Sequence, residues 1–281
     1  MTLIIAWAAA QHTRKKDITS ALYIASDSRI SWGKKYDYGK KLFVCKNNPD
    51  IFGYCGDVLF PLQILSQIVD GINEGIIYNN NDALSNEKKA KIIKHILNTT
   101  IKDYPKDYGI NKNGLTIIHG TKDMDKRMSL YKYEWNRKNG LWYYETIKQT
   151  STFSQKLFCG GTGKNEFERN FEQLIKDKGG EEKVNSSDIF HCFCQTLIGV
   201  KDKSCGGAPQ LATLKIGKNG NGQMLGVVYD NNLYFGGLPL KPNAFLTKSM
   251  EEKARINTFS WYNENLKKCN PKTKLLLEKN R

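Results

Sequence analysis

Two pairs of helix-period segments, each set between blocks of short strands, constrain this chain more than any other feature. Apolar residues recur at helical steps over Val58–Ile72 (Leu59, Leu62, Leu65, Val69) and over Asn86–Tyr104 (Ile92, Ile93, Ile96, Ile101). A second pair is predicted at Asn165–Asp177 and Ser187–Val200, with Ser186 or Ser187 as the cap of the latter. Strands are predicted before the first pair at Leu3–Ala10, Ser20–Asp27, Lys41–Cys45 and Ile51–Cys55. Between the pairs come Leu115–His119, Ser129–Trp135, Leu141–Ile147 and Lys156–Cys159. After the second pair come Ala208–Ile216, Met224–Tyr229 and Leu233–Phe235. In Ala21-Leu22-Tyr23-Ile24-Ala25 the near-continuous apolarity implies burial on both faces. Asn47-Asn48-Pro49-Asp50 and Asn139-Gly140 are turns, and Asp27–Gly33 reads as a polar strand end followed by a loop. Ser249–Lys267 reads as a further helix and Pro271–Arg281 as a basic, frayed tail. Two helix pairs flanking strand blocks imply an α+β chain folded as a four-layer αββα sandwich. Neither an internal repeat nor a linker splits it. The expected organisation is a domain over 2–236 and a C-terminal extension over 237–281.

Composition enters where it excludes function classes. No stretch approaches the ~18 apolar residues of a membrane span, and Met1-Thr2-Leu3 opens on a strand without a signal-peptide pattern. A cytoplasmic protein with no membrane partner is expected. The net charge of +15 invites acidic partners, nucleic acid among them. Yet the lysines are scattered and accompanied by many asparagines, a pattern that AT-rich coding also produces, so nucleic acid is set aside as a partner. Seven cysteines, an odd number without C-x-x-C spacing, suit reduced thiols. His191-Cys192-Phe193-Cys194 lies in an apolar helical pattern without a second ligand pair, which points to core packing and not to metal.

The chemistry begins at Met1-Thr2-Leu3-Ile4-Ile5. Removal of Met1 would leave Thr2 with a hydroxyl and a free α-amine. An α-amine titrates near pH ~8 and can serve as a base at neutral pH. A Thr hydroxyl activated by its own amine is a known nucleophile arrangement. Three further stretches join it: Ala25-Ser26-Asp27-Ser28-Arg29; Lys41-Leu42-Phe43 with Gly53-Tyr54-Cys55-Gly56-Asp57; and Gly161-Thr162-Gly163 with Asp202-Lys203-Ser204-Cys205-Gly206-Gly207. Taken singly, each has an ordinary reading: a turn, a surface lysine, a loop.

In this order, over residues 2–216, the set resembles the proteasome β-type subunits and the HslV-type peptidases of the N-terminal nucleophile hydrolases. The resemblance implies their sandwich fold and a threonine peptidase working through an acyl-enzyme, with no metal or organic cofactor. It makes Thr2 the nucleophile, Lys41 the cation beside it and Asp27 the partner of that cation. Thr162, Asp202 and Cys205 become the group orienting the amine, and Gly56 an oxyanion donor. Ile30 and Cys55 map to the walls of the substrate pocket. Thr162 and Cys205 stand where the family usually carries Ser, and Asp57 stands where a second small residue is usual. The implied partners are a peptide or unfolded protein substrate, further copies of the chain in a ring or related homo-oligomer, and an unfolding ATPase. Three rival readings are an amidohydrolase acting on a small amide, a non-catalytic structural subunit, and a basic nucleic-acid-binding module.

Overall fold

A computed structural model describes residues 2–12, 17–79, 82–105, 114–150, 152–217, 220–240 and 259–270. Its larger sheet has nine strands. They run in the order β10 (Gln155–Gly160), β1 (Ile4–His12), β2 (Asp17–Ser26), β11 (Gln210–Lys215), β12 (Gln223–Tyr229), β13 (Asn232–Phe235) and β14 (Leu238–Leu240). In addition, β15 (Trp261–Asn263) pairs in parallel with β12, and β16 (Lys268–Cys269) pairs with β15. A five-stranded sheet follows chain order: β5 (Leu42–Val44), β6 (Asp50–Gly56), β7 (Leu115–Lys122), β8 (Met128–Asn136) and β9 (Leu141–Ile147). A third sheet is the hairpin of β3 (Ile30–Trp32) and β4 (Lys34–Tyr36).

The helices are α1 (Leu59–Asn73), α2 (Asn86–Thr100), α3 (Lys164–Lys178) and α4 (Ser186–Gly199). Alternation along β1 explains how the core is divided. Leu3, Ile5 and Trp7 pack with Phe167 and Phe171 of α3 and Phe190 and Phe193 of α4. Ile4 and Ala6 face the other way and join Leu42, Ile51 and Ile118 of the five-stranded sheet. Trp7 stacks on Tyr23 with ring centroids 5.0 Å apart. The other face of the smaller sheet carries α1 and α2 through Ile64, Leu65, Ile68, Ile93 and Leu97. Each such side chain, fully buried, contributes about 1.5–3 kcal/mol.

Strands outnumber α-helices sixteen to four among the described residues. The molecule is a mostly β structure of three sheets, which corrects the expected four-layer αββα sandwich. Five strands that hydrophobic periodicity does not announce make the difference: β3, β4, β14, β15 and β16. In β4 all three residues are exposed, so no apolar alternation marks it. The helix expected over Ser249–Lys267 is also corrected where it can be seen. Trp261–Asn263 is a strand, and a turn follows it in which the Asn263 N–H donates to the Lys267 carbonyl at 3.0 Å. Residues 241–258 and the basic tail 271–281 lie outside the described residues. The cap of α4 is Asn185, one residue before the expected serines. Its side chain accepts from the Asp188 N–H while Asp188 accepts from the Asn185 N–H. No helix is long and apolar enough to cross a membrane, among the described residues. All seven cysteines are free thiols and buried; Cys192 and Cys194 belong to α4 and are part of the core it packs into.

Candidate active site

The sheet order decides which distant segments meet. Ile4 of β1 sits opposite Ser26 of β2 on one side and Gly160 of β10 on the other. Thr2, two residues earlier, is therefore flanked by Asp27 and by the Gly161-Thr162-Gly163 turn. The Thr2 carbonyl accepts from the Gly163 N–H at 3.2 Å. Gly161 has φ +90, and a Cβ there would collide with that carbonyl, so only glycine fits the turn. Thr2 itself is fully buried.

Asp27 ties the neighbouring strands together. Its Oδ1 accepts from the Leu3 N–H at 3.1 Å and from the Lys41 Nζ at 2.6 Å. Its Oδ2 accepts from the Gly206 N–H at 3.0 Å. Both members of the Asp27–Lys41 pair have fully buried side chains. Burial pushes the Asp27 carboxyl above its ordinary value, and the Lys41 ammonium together with the two N–H donors works against that rise. One carboxylate thus links a buried cation to the backbone of the residue that follows Thr2.

Two groups that sequence reasoning did not single out hold this pair in place. Gln210, fully buried at the start of β11, accepts from the Lys41 N–H at 3.1 Å. Its amide also donates to the carbonyls of Gly39 at 2.8 Å and Asp27 at 3.2 Å. Arg29 pairs with Asp37 at 2.6 Å and donates to the Cys205 carbonyl at 2.9 Å, fixing the loop that carries Gly206. A lone Gln at a strand start carries no signal, but Arg29 lay within the Asp-Ser-Arg segment already noted.

Thr162, Asp202 and Cys205 come together, with Ser204 as a fourth member. Thr162 Oγ1 lies 3.1 Å from Ser204 Oγ and 3.4 Å from Cys205 Sγ. The Ser204 N–H and hydroxyl both donate to Asp202 Oδ1, at 2.8 and 2.7 Å. Partial burial acts to raise the Asp202 carboxyl, but the bonds from Thr162 and Ser204 outweigh it and hold it below the usual carboxylate range. Burial pushes the Cys205 thiol up, so it stays a neutral, weak hydrogen-bonding group.

Three other expected residues lie on β6 and β3. Gly56 ends β6 at φ +105, and a Cβ there would meet the Gly114 carbonyl. The glycine is thus required by the neighbouring start of β7. Cys55 is buried, its thiol pushed up to about 11 chiefly by burial. Ile30 is buried and packs over Gly39.

No protein-family model matches this chain, and no curated protein matches it. Among solved structures it is similar to Anbu (ancestral beta-subunit) from Yersinia bercovieri. The two are 14% identical with a TM-score of 0.55, over 79% of this chain and 86% of that one. At that identity the likeness shows the fold alone. It is a distant structural similarity to a proteasome-like protein. It corrects the resemblance to proteasome β-type and HslV-type subunits, because the match falls in a distinct family. The physical reason is that the quoted segments are turns and a buried ion pair. They hold together one strand junction, so they report local geometry.

Proposed function

We propose that this chain is a threonine-type peptidase whose nucleophile is Thr2, exposed by removal of Met1. The observation that carries the reading is the buried Asp27–Lys41 pair anchored to the Leu3 N–H. An ion pair fully removed from water is costly to maintain for stability alone. Here it brings a positive charge to the residue next to a Thr that one cleavage would make N-terminal.

In the proposed reaction the free α-amine of Thr2 takes the proton of its own hydroxyl. The oxygen attacks the substrate carbonyl, and a tetrahedral oxyanion forms. The Lys41 charge favours the neutral amine and the ionised oxygen. In this scheme the Gly56 N–H serves as the oxyanion donor. The ammonium returns its proton to the departing amine, leaving an ester on Thr2. Water, deprotonated by the same amine, then hydrolyses that ester and regenerates the hydroxyl. The Thr162–Ser204–Cys205–Asp202 group orients the amine, and Ile30 and Cys55 border the substrate side chain. Every proton is moved by the amine of Thr2, so the scheme requires neither metal nor organic cofactor. A peptide or unfolded protein segment is the substrate class. Assembly with further copies and delivery by an unfolding ATPase belong to the same proposal.

A second reading, a non-catalytic subunit, is favoured by one observation: Thr2 is fully buried. Turnover of a fluorogenic peptide panel by wild type and Thr2→Ala separates the two. The peptidase reading expects a loss on the order of 10⁴-fold or more with an unchanged circular dichroism spectrum. Equal turnover by both proteins removes Thr2 from the chemistry.

A further inference from the structure

We propose that a cleft at the opposite end of β6 from Gly56 binds the phosphate group of a small phosphorylated molecule through Lys122 and Lys126. The cleft is a cavity of about 350 Å³ lined by Pro49, Lys89, Lys122, Asp123, Lys126 and Gly220, among others. It lies between the end of β7 and the turn that leads into β12.

Lys122 is the central group. It is only 8% exposed although it is the last residue of β7 and lines the cavity. Its ammonium donates to the Lys215 carbonyl at 3.0 Å. An ammonium carries three N–H donors, and an ion withdrawn from water is costly unless its charge is met. The neighbouring carboxylates are engaged elsewhere. Asp50 pairs with His119 at 2.8 Å and lies 3.6 Å from Lys89. Asp123 accepts from the Arg127 side chain at 3.0 Å and from its N–H at 2.9 Å, and Asp125 pairs with the same guanidinium. Lys89 is satisfied further by Thr121 Oγ1 at 3.3 Å and the Lys122 carbonyl at 3.1 Å. Among the described residues no carboxylate reaches within 4.0 Å of Lys122 or Lys126. Lys122 and Lys126 therefore border the cavity without a carboxylate paired to either, and Asp123, which also lines it, is held by Arg127.

The cavity floor is kept open for this ammonium. A Cβ at Gly220 would collide with Lys122 Nζ. Burial, and then the charges of Lys126 and Lys89, hold the Lys122 amine below its ordinary value, as crowding of like charges requires. One small ligand that meets two ammonium groups must carry close to two negative charges. A phosphate monoester carries about −1.5 to −2 at neutral pH. The volume of about 350 Å³ suits one small phosphorylated molecule.

The test is calorimetric titration of the full chain, at constant ionic strength near 0.15 M, with phenyl phosphate and separately with inorganic phosphate. Sodium chloride serves as the control. The expected result is saturable one-site binding of the ester, with inorganic phosphate equal or weaker. It should weaken about tenfold or more in Lys122→Met and in Lys126→Gln. Lys126 is exposed, so its variant folds even if Lys122→Met does not. The proposal is overturned by any of three results: no saturable binding of the ester, binding unchanged in Lys126→Gln, or binding of an oligonucleotide without binding of phenyl phosphate.

Discussion

Replacing Lys41 with Met tests the buried pair at the centre of the candidate site. The substitution keeps the length of the side chain and removes its charge. Asp27 then remains fully buried, with only the Leu3 and Gly206 N–H groups to meet its carboxylate. Removing one partner of a buried pair costs about 3–5 kcal/mol. In a chain of this size each kcal/mol moves the melting midpoint by about 2–4 °C, so a fall on the order of 10 °C is predicted. The sign of the pH dependence is fixed by Asp27. Burial already raises its carboxyl with Lys41 present, and without the ammonium it rises further. A carboxyl raised in the folded state binds more protons there than when unfolded. The stability it contributes is complete below the unfolded value near ~3.9 and is lost as pH rises through the folded value. The deficit of Lys41→Met is therefore larger at pH 8 than at pH 5. Adding Asp27→Asn removes the stranded charge, so the double variant should be less destabilised than the sum of the single variants by about 1 kcal/mol or more. Thermal and urea unfolding of the four proteins at both pH values provide the measurement. Additive losses, or a Lys41→Met midpoint equal to wild type at pH 8, would refute the argument.

Two further predictions concern the frame around the site. Gly161→Ala forces a Cβ against the Thr2 carbonyl at φ +90, so it should cost at least about 1–3 kcal/mol in unfolding experiments and lower peptide turnover more than that loss of stability explains. His119 is fully buried, and burial holds its imidazole below the ordinary value despite the Asp50 carboxylate. The unfolded chain thus takes up a proton that the folded one resists. Stability should fall as pH drops below ~6.5, and in His119→Gln that part of the pH dependence should disappear from urea midpoints measured between pH 7 and pH 5.

How far the sequence was legible depends on the range of the forces involved. Leu141–Ile147 was placed to the residue, and the four α-helices were placed to within a few residues, because local periodicity reflects which face is buried. The cap of α4 was missed by one residue although its signal, Asn185 followed three residues later by Asp188, was present. The loop expected over Asp27–Gly33 contains β3, and β4 carries no sequence signal, because both strands are short and largely exposed. β15 was read as helix because its pairing partner, β12, lies more than thirty residues earlier in the chain, beyond the reach of periodicity. The positions that meet around Asp27 were legible as an ordered set of turn and charge motifs. The roles of Gln210 and Ser204 were not, since a buried Gln shared between Lys41, Gly39 and Asp27 takes its meaning from three separate segments. The overall layering was misjudged for a related reason. Helix pairs stand out in a sequence, whereas short strands added by long-range pairing do not.

The central claim is that Thr2 becomes an N-terminal nucleophile. Its most direct test is the intact mass of the native protein before and after incubation with a peptide epoxyketone, a warhead that requires both a hydroxyl and a free α-amine on one residue. The account predicts a mass without Met1 and a single adduct that maps to Thr2. A mass that retains Met1, with no adduct, would contradict it and select the non-catalytic subunit.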